Sequence, residues 1–505
     1  QLLDDFMSAT RSNAEDGMPD APRTYLQATK VEYAIVLAVC VVDGADMAVL
    51  GAAFRYFERD LGLTPVTLGM LTLAQAFAMA LAAPVWGWMN DSGRASRREL
   101  WIGGAIGWAA VMLSLALCVR PALVFLLRVI NGLFLACLGP LTQSWVAERV
   151  APKNSGRTFA LLVGATHVGS AMCTMLINTY GGSKVPLPFL PIAYADGWRV
   201  VCAGIGFASC GLALLIWCCM TESGERARKT GNMELSKGPA EIVKNLKEHW
   251  SIHTFRIIVF QGVVGGIPWS ALSFKMMFFQ YMGMSKEQIN LLVACELPAS
   301  IIGVMLGGLM GDMGARISAA HGRTVIGQIC VSIGIPLMML QVQSLPTLGT
   351  DYIWPFLITN TLFYLTATWT PAGLIRPIFL EVTKPHCRAS VVAWESAIEG
   401  IAAAVLGAPL VGFLAEDVFG YKATTAEISD MTHDLRQHNF EALQTSLSVM
   451  TTVPWLACFL AITLLHWYYP QDIARLKSAS TEDLALKSEA KLTDAGQYRA
   501  CTCSD

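Results

Sequence analysis

The chain has 505 residues, 54% hydrophobic and 15% charged, with a net charge of −2 and a mean hydropathy of +0.48. Soluble domains carry about 25% charged residues, so a water-soluble globule with a polar surface is excluded and a lipid bilayer is the expected solvent. The near-zero net charge carries no information about a nucleic-acid partner, and with no long basic stripe none is expected.

A helix crosses the hydrocarbon core with about 20 apolar residues. Blocks of that kind cover approximately 31–54, 66–89, 99–119, 121–145, 157–180, 198–219, 255–281, 287–310, 323–345, 353–376, 389–415 and 447–468. The predicted fold class is therefore an all-α integral membrane protein of twelve transmembrane helices. Pro84, Pro140, Pro268, Pro298, Pro336 and Pro409 fall inside blocks, which membrane helices tolerate when neighbours re-satisfy the freed carbonyls. Residues 1–30 and 469–505 are polar and read as flexible tails. Residues 221–254 read as a linker between two halves, 31–220 and 255–468, and within it AEIVKNLKEHW has the pattern of an amphipathic surface helix.

Lys and Arg concentrate in the loops after even-numbered blocks: Arg94, Arg97 and Arg98; Lys153 and Arg157; six between Arg226 and Lys247; Arg316 and Arg323; Lys384 and Arg388. The alternate loops are sparse, with Arg55, Arg59, Arg120, Lys184 and Lys286, then Lys422 and Arg436 in a long acidic loop. By the positive-inside rule both termini and the linker face the cytosol; plasma and endolysosomal membranes are not distinguished by this rule.

Charges within a block cost several kcal/mol unless paired or hydrated. Asp43 and Asp46 share one face of block 1, roughly 18–24 Å from its cytosolic end, and Arg128 lies at matching depth, roughly 10 Å into block 4 from the opposite surface. His167 in block 5 could titrate near neutral pH, although a lone helix histidine is more often a hydrogen-bonded packing residue. Lys275 and Glu296 both sit roughly 10 Å from the outer ends of blocks 7 and 8, near enough to pair; Lys275 could instead snorkel to the interface, which Glu296 is too deep to do. Block 10 carries Thr359, Asn360, Thr361, Tyr364, Thr366, Thr368, Trp369 and Thr370. That is too much hydroxyl for lipid contact all round, so part of this face, with Asn360, Tyr364 and Trp369 as candidates, is expected to line a wet cavity, although any single hydroxyl can bond its own helix. Glu395 and Glu399, four apart on block 11, read as structural or gating groups.

The halves repeat each other. Gly87-x-Met89-x-Asp91 after block 2 recurs as Gly308-x-Met310-x-Asp312 after block 8, and Lys153-x-x-x-Arg157 recurs as Lys384-x-x-x-Arg388. Two matches at corresponding positions imply a duplicated six-helix bundle.

These loop motifs, with Arg128-x-x-x-Gly132 in block 4, resemble the major facilitator superfamily. Asp43 and Asp46, FERDLGLTPVTLG, AAPVWGWMND and GIPWSALSF resemble its spinster-like branch more narrowly. The resemblance covers about residues 31–468. It implies that helices 1, 4, 7 and 10 line a central cavity, so that Asp43, Asp46 and Arg128 form a proton and substrate site unless they are a static pair locking helix 1 to helix 4. It also implies that Gly87, Asp91, Arg94, Arg97 and Arg98, with Gly308, Asp312, Arg316 and Arg323, form latches that open in one access state; the alternative is that the arginines only set topology. The pattern departs from the family in placing Ser92 after Asp91, in lacking paired arginines in the second copy, and in lacking the Gly-Pro of antiporters in block 5.

The 14 cysteines show no metal or disulfide spacing. No catalytic triad, phosphate-binding loop or zinc motif is present, so neither enzyme activity nor a cofactor is expected. Two functions of different class follow: an alternating-access transporter, proton-linked and acting as a monomer, whose cargo is lysolipid- or sphingoid-like or else a small polar organic solute, and a non-transporting receptor or scaffold on the same fold.

Overall fold

The computed structural model describes residues 29–91, 95–150, 152–186, 194–220, 247, 249–383 and 388–501, the side chains of 91, 147, 152–156, 388–393 and 477–501 excepted. Most of the linker and its surface helix, together with Arg94 and Lys384, lie outside these residues.

Helix α1 (Lys30–Leu61) starts at a capping box in which the Thr29 side chain accepts from the Glu32 backbone and Glu32 accepts from that of Thr29, and it ends at Gly62 with φ 65°. There follow α2 (Pro65–Asp91), α3 (Arg97–Leu117), α4 (Pro121–Leu135 and Leu138–Arg149), α5 (Pro152–Tyr180), a hairpin of β1 (Lys184–Pro186) and β2 (Tyr194–Asp196), and α6 (Gly197–Cys219). The second half comprises α7 (His253–Ala271 and Lys275–Met282), α8 (Lys286–Ile317), α9 (Gly322–Met339), α10 (Ile353–Ala367 and Arg376–Val382), α11 (Arg388–Leu406 and Ala408–Phe413) and α12 (His433–Cys501).

Eleven of these helices are long and apolar enough to cross a membrane. The exception among the twelve expected is α10, where Pro371 follows a break after Ala367 and a π-helical stretch, Pro371–Ile375, leads into the last two turns. Proline has no N–H for the ladder, so the span is built in two pieces.

The two halves are packed by the same rule. In the first, α1 packs on α5 and α6, α2 on α4, and α3 on α4 and α6; in the second, α7 packs on α11 and α12, α8 on α10, and α9 on α10 and α12. Each contact recurs six helices later, as duplication requires. The halves meet through α1 with α7, α2 with α11 and α5 with α8. Small residues set how closely helices approach. A Cβ on Gly44 would fall 1.8 Å from the Thr166 carbonyl oxygen and one on Gly169 1.7 Å from that of Val41, so α1 and α5 touch backbone to backbone.

Two expected boundaries change. Helix α1 runs two turns past residue 54, placing Arg55 and Arg59 inside the helix rather than in a loop. The tail expected to be flexible from 469 continues α12 to Cys501. Asp472 is buried and accepts from the Thr254 backbone and hydroxyl, both at 2.8 Å, capping the start of α7 and anchoring this extension.

Gly169→Leu should therefore cost at least the ~1–3 kcal/mol of an overpacked core and lower the melting temperature in detergent, whereas Gly164→Ala, with nothing within 4 Å of its Cβ position, should not. Equal melting of the two variants would contradict the α1–α5 contact.

Candidate functional site

Asp46 and Arg128 are both fully buried, with Asp46 Oδ1 3.6 Å from Arg128 Nη1. The carboxylate has further donors. Asn131 Nδ2 gives to both of its oxygens at 3.0 and 3.1 Å, and Gln75 Nε2 gives at 3.3 Å. Arg128 in turn donates to Gln75 Oε1. One glutamine thus bridges the acid and the base, joining α1, α2 and α4. Gln75 and Asn131 were not among the residues singled out from sequence. Asn131 lies three residues after Arg128, on the same helix face, and Gln75 is a polar side chain in an apolar block. Asp43, one turn nearer the start of α1, is half-buried and makes no ion pair or hydrogen bond among the described residues.

In the second half Lys275 forms an ion pair with Glu296 and donates to the Tyr364 hydroxyl at 2.9 Å. Asn360 donates to Glu296 at 3.3 Å and accepts from Gln341 at 3.0 Å. The cluster draws on α7, α8 and α10, with Gln341 reaching in from the π-helical end of α9. The Lys275 ammonium stands 4.7 Å from the Tyr364 ring centre, near enough for a cation–π contact. Snorkelling is therefore not the conformation adopted.

The other cavity candidates are bonded locally. The Trp369 indole donates to the Leu365 carbonyl at 2.7 Å, and Thr359, Thr366 and Thr368 each donate to the carbonyl four residues back. These hydroxyls satisfy themselves within α10, which removes most of the reason to place water there. His167 is exposed and bonds the Val163 carbonyl of its own helix at 2.8 Å, apart from the charged clusters. Glu395 is buried, accepts from the Ser396 hydroxyl at 3.2 Å and is within hydrogen-bonding reach of Glu399, both acids facing Gly262 of α7.

The loop motifs fall partly within the described residues. The side chain of Asp91 and all of Arg94 lie outside the described residues. Arg97 is buried and binds Glu148 at 2.7 Å and the Ser144 hydroxyl at 2.9 Å, and Arg98 donates to the Trp217 carbonyl. Both contacts stay within the first bundle. In the second copy Asp312 pairs with Arg323 at 2.7 Å, Arg323 also reaches the Gly373 carbonyl at 3.3 Å, and Arg316 is exposed. A Cβ on Gly308 would meet open space and one on Gly87 would be in ordinary contact with Pro140 at 3.9 Å, so neither is there for a close approach.

A model of the Major Facilitator Superfamily matches residues 36–374. The chain belongs to the Major Facilitator Superfamily. It is 27% identical to a multidrug resistance protein B homologue of Mycobacterium tuberculosis over 179 residues, 34% of this chain and 33% of that one, so it spans about a third of that relative's length. It is 21% identical to a D-galactonate transporter of Escherichia coli over 65% of this chain and 79% of that one. The fold matches a bacterial homologue of the human lysosomal transporter Spinster, solved inward-facing and unoccupied, with a TM-score of 0.70 at 17% identity over 90% of this chain and 99% of that one. Membership of a transporter family, in a chain that crosses the bilayer many times, rules out an enzyme reading.

In this superfamily member the bundles are shut against each other at the end where α1 finishes. Phe54 and Phe274 rings lie 4.7 Å apart, and a Cβ on Gly69 would stand 2.6 Å from the Ala408 oxygen. Asn178 of α5 donates to Asn290 and to the Lys286 carbonyl of α8, both at 2.9 Å. At the centre Glu58 is wholly buried and takes Arg55 at 2.9 Å, the Tyr421 hydroxyl at 2.9 Å and the Thr424 backbone at 3.0 Å, while Arg55 also donates to the Thr424 carbonyl at 3.0 Å. Sequence reading placed Arg55 in a loop and passed over Glu58; that both fall within the capped α1 is what turns them inward.

Removing one partner of a buried ion pair costs about 3–5 kcal/mol. Glu58→Ala should therefore loosen this closure and raise thiol labelling of a cysteine placed at Ser273, beside Gly51, by an order of magnitude or more. Labelling as slow as in the parent would show that the apolar contacts close this end unaided.

Proposed function

We propose that this superfamily member is a secondary transporter that works by alternating access, takes its driving force from protons through Asp46 and Arg128, and carries an amphipathic organic solute. The observation that carries this reading is the buried acid–base pair held by two amides. A carboxylate in an apolar bundle is ionised only while cation and donors surround it. Withdrawal of Arg128 toward cargo would leave Asp46 to take a proton, and Asn131 could still donate to the neutral acid. The Asn131 amide thus keeps its acceptor in both charge states.

Closure at the end of α1 supports a state open toward the end where α1 begins, which is read as cytosolic from the Lys and Arg distribution. Both halves of the cavity come from one chain, so the transporter is read as a monomer. A lysolipid- or sphingoid-like cargo is what the resemblance of its motifs to the spinster-like branch implies. A small polar organic anion is the second reading, favoured by the relative that carries D-galactonate. Competition between a lysolipid and a sugar acid for uptake separates the two.

In proteoliposomes Asp46→Asn should keep exchange of substrate for substrate but lose accumulation driven by a pH gradient. Undiminished accumulation would make Asp46 structural. Binding without flux in the unaltered protein would instead favour the receptor reading.

A further inference from the structure

The second-half cluster has features that a structural pin does not need. Lys275 and Glu296 retain 15% and 17% side-chain exposure, whereas Asp46 and Arg128 have 0%. An aromatic wall adjoins the cluster. The Trp269 ring is 6.0 Å from that of Tyr364, 5.7 Å from Phe363 and 6.1 Å from Trp455. Phe363 and Trp455 are buried, while Trp269 leaves 38% of its surface open. Tyr364 connects the two, taking the Lys275 hydrogen bond at its hydroxyl and the Trp269 contact at its ring. A cation beside an open indole recognises an anion with a flat apolar body.

We propose that Lys275 is the docking point for an anionic group of the cargo, which displaces Glu296, and that Glu296 takes up a proton as it is displaced. The proposal rests on the transporter reading and narrows its cargo to an amphipathic monoanion. The charges balance. Before binding, the Lys275 ammonium faces the Glu296 carboxylate; afterwards it faces the cargo anion, and Glu296 is the neutral acid, its new proton drawn from water. The site is neutral in both states, which is the condition for low cost in a bilayer. Without the proton a displaced Glu296 would keep its charge with Asn360 as its remaining donor. The titratable groups at Glu296 among the described residues are Lys275 from α7 and Tyr364 from α10; Asn360, and through it Gln341, are neutral.

The test uses the full chain in detergent, with 3-phenylpropanoate and its uncharged amide as probes, followed by calorimetry in two buffers of different ionisation enthalpy. The unaltered protein should prefer the acid by about tenfold or more and take up about one proton per anion bound. Glu296→Gln should bind the acid more tightly and take up no proton. The double variant Lys275→Met with Glu296→Gln strands no charge and so guards against misfolding; it should lose the preference for the acid. Equal binding of acid and amide, binding of neither up to millimolar concentration, a preference that survives the double variant, or proton uptake that survives Glu296→Gln would each overturn the proposal. The acid-to-amide ratio is read at equilibrium without a pH gradient, whereas coupling through Asp46 is read from gradient-driven accumulation. Loss of coupling through Asp46 and loss of anion docking at Lys275 are therefore read in separate experiments.

Discussion

The polar side chains where α1, α2 and α4 meet, Gln75 and Asn131, are arranged around the contact between Asp46 and Arg128. Two full charges at 0% exposure inside a bilayer bundle would be ruinous singly. The separation of 3.6 Å alone does not compensate for their desolvation. The amides do the rest: Asn131 and Gln75 saturate the carboxylate, and Gln75 turns its oxygen to the guanidinium. Close approach of helices permits this. Gly132, next to Asn131, lets α4 pack on the Gln75 carbonyl of α2, where a Cβ would stand 2.3 Å away.

The second bundle repeats the packing but not the chemistry. Its ion pair is half open, uses lysine in place of arginine, and has a tyrosine and an open tryptophan beside it. Arginine cannot give up its proton, so Arg128 stays charged through any exchange of partner; an ammonium on a flexible stem is easier to redirect. This difference supports reading the first half's pair as the sealed coupling pair and the second half's as the pair that meets the cargo's anionic group.

Long-range order was legible where it depends on hydropathy alone. Twelve apolar blocks, the duplicated loop motif and the depth matching of Lys275 with Glu296 all follow from helical rise and the cost of buried charge, and those two residues do meet. What was not legible depends on who faces whom. Gln75 and Asn131 are ordinary amides in a string and acquire meaning when α2 and α4 bring them to Asp46. Glu58 and Arg55 sat beyond the predicted end of block 1 because charge was taken to end the helix, whereas Gly62 ends it. The threonines of α10 pointed to water by composition, but local bonding to carbonyls is invisible to composition. Pro371 explains why one span is shorter than its hydropathy suggested.

Coupling of solute movement to protons is the claim on which the account stands or falls. The direct measurement is net flux of an accepted amphipathic anion in proteoliposomes at equal concentration on both sides, with the pH gradient imposed in one direction and then reversed. The account predicts that net flux reverses with the gradient. Flux that stays at zero under either gradient, while exchange proceeds, would contradict it and leave the buried acids as structural groups.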